Sequence, residues 1–276
     1  MQAPTPDTAT TCYRHPRRET GVSCSSCDRP ICPDCMTPTS VGMRCPECAR
    51  QKTKVRTAAT LTRPPQVTYT LIAINVIVFV AQVMSGGGLD GLGGSVYIHG
   101  ALAGQPVADG EWWRIVTFGF LHGGLLHLLF NTYVLYFLGS LLEPEIGKLR
   151  FGLIYAVSLV GGALGALLTS MPYQATVGAS GAVFGLMSAA FVALRARGID
   201  PMQTGIGIMI VLNLAITFLI PNISIGGHVG GLIAGGIVAY LLFEVGERRQ
   251  GWERGAIAAS VALGVALAVA AVAVSP

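Results

Sequence analysis

Seven stretches of this sequence contain no Asp, Glu, Lys or Arg: Val67–Met84, Leu121–Leu142, Phe151–Thr169, Gly178–Leu194, Thr204–Ile220, Gly227–Phe243 and Ala256–Val274. Each approaches the roughly 20 apolar residues that carry a helix across a bilayer. Hydrocarbon offers no partner to backbone N–H and C=O groups, so such a run satisfies them internally, as a helix. Composition agrees. The chain is 52% hydrophobic and only 12% charged, whereas soluble domains run to about 25% charged. The expected fold class is an all-α polytopic membrane protein of seven spans. No cleavable leader pattern precedes the first run, so the first helix is expected to insert without processing.

Charge placement predicts orientation. With the N-terminus inside, every Lys and Arg except Arg114 falls on the inner side, including the pairs Lys148/Arg150 and Arg195/Arg197 and the cluster Arg248, Arg249 and Arg254. The opposite orientation reverses all of these, against the excess of basic residues that cytoplasmic loops carry. The expected location is the cell membrane, multi-pass, with the N-terminus cytosolic.

All seven cysteines lie in the first 48 residues, in the pattern Cys12-x-x-His15, Cys24-x-x-Cys27, Cys32-x-x-Cys35 and Cys45-x-x-Cys48. Four pairs give eight ligands, the number two tetrahedral Zn²⁺ sites require. The odd cysteine count and the reducing cytosol argue against a disulfide knot. The pairs can combine in an interleaved way, first with third and second with fourth, or sequentially. About 40 residues cannot build a large core, so metal is expected to hold this module together. It resembles small treble-clef or B-box-like zinc fingers. Such sites are closed and structural, which implies a cytosolic protein partner or a regulatory role. It has no basic recognition helix, and no nucleic-acid partner is expected. The resulting division is a zinc module at 1–50, a basic linker at 51–66, a six-helix membrane domain at 67–243, and a cytosolic loop with a seventh helix at 244–276.

Polar residues are sparse in the spans, and some fall at matching depth. In the expected topology the second, fourth and sixth helices run in the same direction. His127 and Asn131 lie in the first third of the second, Ser180 at the start of the fourth and His228 at the start of the sixth. His127 and Asn131 are spaced i, i+4 and share one face, about 6 Å apart along the axis. Polar groups inside a membrane are costly and tend to be functional. Gly181/Gly185 and Gly231/Gly235 are small-xxx-small pairs of the kind that bring helix backbones together. Ser180 and His228 need such an approach to hydrogen-bond.

A serine hydroxyl is a weak nucleophile until a base takes its proton. His228 is the available base. The spans hold no carboxylate to complete a triad, so the expected arrangement is a Ser180–His228 dyad. Asn131, His127 and the Ser180 backbone N–H are the candidate donors to an oxyanion. The sequence contains no H-E-x-x-H motif and no pair of membrane aspartates, which argues against metallo- and aspartyl-protease chemistry.

These residues resemble the rhomboid family of intramembrane serine proteases over about residues 67–243. Gly178-Ala179-Ser180-Gly181 matches the family's G-x-S-G, Gly227–Gly231 its sixth-helix histidine motif, His127–Asn131 its H-x-x-x-N, and Trp113-Arg114 the W-R of its first external loop. The resemblance implies a six-helix core with an appended seventh helix. It implies Ser180 as nucleophile, His228 as base, His127 and Asn131 as oxyanion donors, and Phe184 as an aromatic stacked on the base. His122 is placed near the cavity without a chemical step. The implied substrates are single-span membrane proteins, cleaved near the outer face in contact with membrane lipid. The fifth helix with the loop 221–225 is the implied lateral gate. Two competing readings are a catalytically silent rhomboid-like protein that binds membrane helices, and a transporter with a zinc sensor. The spans lack the charged pathway a transporter would need.

Overall fold

All seven charge-free runs are helical in the computed structural model, which describes residues 10–40, 42–50, 64–220, 223–247 and 251–276. Residues 51–63 of the predicted basic linker lie outside the described residues. The chain divides into two units, Met1–Ala58 and Ala59–Pro276.

In the first unit a short 3₁₀ turn at Pro33–Cys35 leads into an antiparallel ribbon. Strand β1 (Thr37–Thr39) pairs with β2 (Gly42–Arg44), Thr37 opposite Arg44, and a short helix α1 (Pro46–Arg50) follows. The buried interior consists of six cysteines and Ile31, with Tyr13, Cys27 and Met36 packed at its edge. A core this small cannot stabilise a fold by apolar burial alone.

The second unit begins with α2 (Gln66–Gln82), prolonged by a π turn at Val83–Gly87. The long connection that follows holds three short helices: α3 (Gly94–Gly100), α4 (Gly104–Ala108) and α5 (Arg114–Thr117). Then come α6 (Leu125–Ile146), α7 (Lys148–Thr169), α8 (Ser180–Ala196), α9 (Ile206–Leu219), α10 (Ile225–Tyr240, continued by a π turn at Leu241–Glu247) and α11 (Glu253–Ala273). Among the described residues, five of these helices are long and apolar enough to cross a membrane, and α8 and α9 are shorter apolar helices.

The main departure from the sequence-based boundaries is at α6. It starts at Leu125 rather than Leu121, after Gly124 turns the chain at φ 107°, and it runs on through Glu143 and Pro144. Glu143 looks like the end of an apolar run, yet it is buried. Its carboxylate accepts the Val67 and Thr68 N–H groups and the Thr68 hydroxyl, each at 2.8 Å. These are orphan donors of the first turn of α2, which a side chain from another helix satisfies. The carboxylate thus pins α2 to α6.

Helix α8 is the axis of the bundle, buried along most of its length from Gly181 to Ala190. Helices α7 and α10 pack on it through glycine. A Cβ on Gly235 would lie 2.4 Å from the Gly185 Cα. Lipid removes most of the hydrophobic drive between helices, so close van der Waals contact of this kind holds the bundle. By contrast, α9 buries only Ile206, Gly207 and Thr217. Helix α11 lies against α7, with Arg150 paired to both Glu247 and Glu253.

Candidate active site

Three helix N-termini meet at one end of the bundle. Helix α8 opens at Ser180, directly after Gly178 at φ 128°, a backbone conformation that suits glycine. A Cβ at Gly178 would also sit 2.8 Å from the His127 ring, so no larger residue fits this turn. Helix α10 opens under Ser224, whose hydroxyl accepts the Gly227 N–H at 3.1 Å and caps the turn that presents His228.

Ser180 Oγ and His228 Nε2 are 2.7 Å apart. Phe184, one turn along α8, lies flat on the His228 ring, with centroids 4.3 Å apart and planes inclined by 20°. On its far side His228 Nδ1 meets Thr217 Oγ1 of α9 at 2.7 Å. His127 accepts the Gly123 N–H at Nδ1 (3.2 Å), which leaves its proton on Nε2, the nitrogen nearest Gly178. Asn131 spends one amide hydrogen on the His127 carbonyl at 2.9 Å and keeps a second. These groups line a single cavity of about 790 Å³. A hydroxyl facing an imidazole nitrogen, with two further donors on the same cavity wall, is a geometry compatible with nucleophilic chemistry.

Ser180, His228, His127, Asn131 and Phe184 are therefore brought together. His122 is not part of the cavity wall. It is fully buried, edge-on to His127 at 5.3 Å, with neither ring nitrogen hydrogen-bonded among the described residues. Arg114 is buried, pairs with Glu111 and donates to the Ala101 carbonyl at 2.6 Å, so it braces the long connection. Thr217 escaped the sequence reading because a threonine in an apolar helix carries no spacing signal. Residues 221–222 of the predicted gate loop lie outside the described residues.

The rhomboid domain model matches residues 109–245, a span containing His127, Asn131, Ser180 and His228. The putative rhomboid protease YdcA of Bacillus subtilis is 37% identical over 146 residues, covering 52% of this chain and 73% of the relative. The chain belongs to the rhomboid family. The rhomboid protease GluP of Bacillus subtilis is 37% identical over 181 residues (64% of this chain, 35% of the relative). RHOMBOID-like protein 5 of Arabidopsis thaliana is 39% identical over 150 residues (52% and 48%). The chain thus spans only a third to a half of the length of these last two relatives. Rhomboid membership carries a polytopic membrane fold, in keeping with the five helices among the described residues long enough to span a bilayer. The cysteine module and α11 lie outside the matched residues.

The module has its own pair of sites. Cys12, His15, Cys32 and Cys35 form one cluster and Cys24, Cys27, Cys45 and Cys48 the other, with the donor atoms of each within 4.8 Å of one another. The pairing is interleaved. The cysteines are free of disulfides, and Cys27 Sγ stands 3.8 Å from Cys45 Sγ. That is the edge of a tetrahedron with metal–sulfur bonds of about 2.3 Å. Hydrogen bonding from the Cys45 N–H, opposed by burial, holds Cys24 down at about 6. Shared hydrogens with Cys45, then burial, push Cys48 up to about 12. Four thiols in one site cannot all ionise against one another, and a bound divalent cation removes that conflict. The donor set fits such an ion.

Proposed function

We propose that this rhomboid protein is an active serine endopeptidase that cleaves transmembrane helices through a Ser180–His228 dyad. The single observation that carries the reading is the 2.7 Å approach of Ser180 Oγ to His228 Nε2 inside a cavity large enough for an extended peptide. In the first step Ser180 Oγ bonds to the scissile carbonyl carbon while its proton passes to His228 Nε2. Negative charge develops on the carbonyl oxygen, where His127 Nε2–H, the free Asn131 amide hydrogen and the Ser180 N–H donate. Each such donor is worth about 2.7–4 kcal/mol in the transition state. His228 then returns the proton to the leaving amine, and water, activated by the same imidazole, hydrolyses the acyl-serine.

The positive-inside pattern supports an inner N-terminus. The dyad then lies near the outer face, and cleavage falls at the outer end of the substrate helix. The four-sulfur and three-sulfur-plus-imidazole donor sets support Zn²⁺ as a structural ion, held by the eight residues of the two clusters. The zinc module would then be a cytosolic handle for a partner protein.

The test is reconstitution into liposomes with a tagged single-span substrate carrying small residues near its outer end. Parent protein should yield one main cut, mapped by mass spectrometry, and Ser180→Ala none. Equal cleavage by Ser180→Ala would remove the assignment.

A further inference from the structure

Serine–imidazole chemistry works only from one tautomer: Nε2 must carry a lone pair toward Ser180, so the ring hydrogen must sit on Nδ1. In triad enzymes a carboxylate enforces this. Here the buried Glu143 is turned to Val67 and Thr68, no carboxylate faces His228 among the described residues, and the atom facing His228 Nδ1 is Thr217 Oγ1 at 2.7 Å. We infer that Thr217 is the positioning residue for His228, holding the base in its working tautomer, a role that rests on the protease reading above.

Hydrogen counting supports the assignment. A threonine hydroxyl has one hydrogen and two lone pairs. The Thr217 hydrogen points back to the Asn213 carbonyl, 2.8 Å away on the preceding turn of α9. Its oxygen is then left to accept, and among the described residues the group placed to give is His228 Nδ1–H. The chain of donations is complete in this direction. Ser180 O–H gives to His228 Nε2, His228 Nδ1–H gives to Thr217, and Thr217 O–H gives to Asn213. In the opposite tautomer Thr217 must turn its hydrogen to Nδ1, losing the Asn213 bond, and the Ser180 hydrogen loses its acceptor. The working tautomer keeps one more hydrogen bond. When His228 takes the Ser180 proton at Nε2, the imidazolium keeps its Nδ1–H bond to Thr217, so nothing reorganises during the transfer.

The location of Thr217 adds a consequence. It is 2% exposed, the one buried residue in the second half of the otherwise peripheral α9. Any outward movement of α9 therefore withdraws the orienting hydroxyl from His228, and the base is set only when α9 is seated.

The experiment uses the full chain in detergent micelles, labelled with ¹⁵N-histidine. Two-bond ¹H–¹⁵N spectra report the His228 tautomer in parent, Thr217→Val and Thr217→Ser, with His228→Ala identifying the signal. Fluorophosphonate labelling rates against probe concentration separate the maximal rate from the half-saturating concentration. The expected parent ring is Nδ1–H. Thr217→Val should populate Nε2–H and lower the maximal rate about tenfold to a hundredfold at unchanged half-saturation, less than the roughly 10⁴-fold effect of altering a buried orienting carboxylate. Thr217→Ser should restore both. An Nε2–H ring in the parent overturns the inference without any variant. So does a Thr217→Val protein with unchanged tautomer and rate. A parent that takes no label counts against the protease reading, and the ring tautomer then still decides the role of Thr217.

Discussion

Gly181 and Gly231 touch backbone to backbone: a Cβ on Gly231 would stand 2.0 Å from the Gly181 carbonyl oxygen. Each glycine is near a member of the proposed dyad, Gly181 next to Ser180 and Gly231 one turn beyond His228. The contact therefore sets the separation of Ser180 and His228. Gly231→Ala is predicted to force α8 and α10 apart, at a cost of about 1–3 kcal/mol or more from overpacking. It should lower fluorophosphonate labelling by over tenfold, since hydrogen-bond reach ends near 3.2 Å. Gly236→Ala is the control, because its Cβ would meet Ser188 Oγ at an ordinary 3.6 Å. Thermal midpoints and labelling rates measured together check this. A Gly231→Ala protein with both at parent level would show that the contact is not limiting.

The stack of Phe184 on His228 holds the imidazole plane. Aromatic pairs contribute about 0.5–1.5 kcal/mol beyond area burial. Phe184→Leu should slow labelling about twofold to tenfold, while Phe184→Tyr keeps the ring and should stay near parent. Equal rates for the leucine and tyrosine variants would argue that the ring is held by other contacts.

Glu143 is a structural carboxylate in this account, remote from the dyad. Glu143→Gln removes acceptor capacity facing the first turn of α2 and should cost about 1–3 kcal/mol. The expected observation is a lower thermal midpoint in detergent with unchanged labelling per folded molecule. Unaltered stability would mean that water or another group satisfies these donors.

The cysteine module should hold two metal ions per chain by native mass spectrometry, and Cys24→Ser should lose one while keeping the other. Metal binding releases thiol protons, so affinity rises with pH and the ions should leave on acidification. A chelator should unfold residues 10–50 while the membrane unit stays folded, as read by proteolysis. One ion per chain, or none, would contradict the paired clusters.

The helices and the meeting of Ser180 with His228 were legible because charge-free runs and short motifs report burial and proximity directly. Residues that act through geometry alone left no such trace. Glu143 reads as a boundary because a lone carboxylate at the end of an apolar run usually marks the aqueous edge, and only the fold shows it turned inward to cap α2. Thr217 reads as one more small helix residue, since its partner depends on how α9 is rotated against α10. The interleaved pairing of the cysteine pairs was open for a similar reason: x-x spacing fixes which two ligands share a turn, not which turns meet.

Covalent labelling by a fluorophosphonate probe, with the purified full chain, Ser180→Ala and His228→Ala side by side, bears most directly on the proposal of an activated serine. The account predicts one labelled serine per chain in the parent, located at Ser180 by mass spectrometry, and loss of labelling in both variants at unchanged thermal midpoint. A folded parent that takes no label, or a label that survives Ser180→Ala, would contradict it.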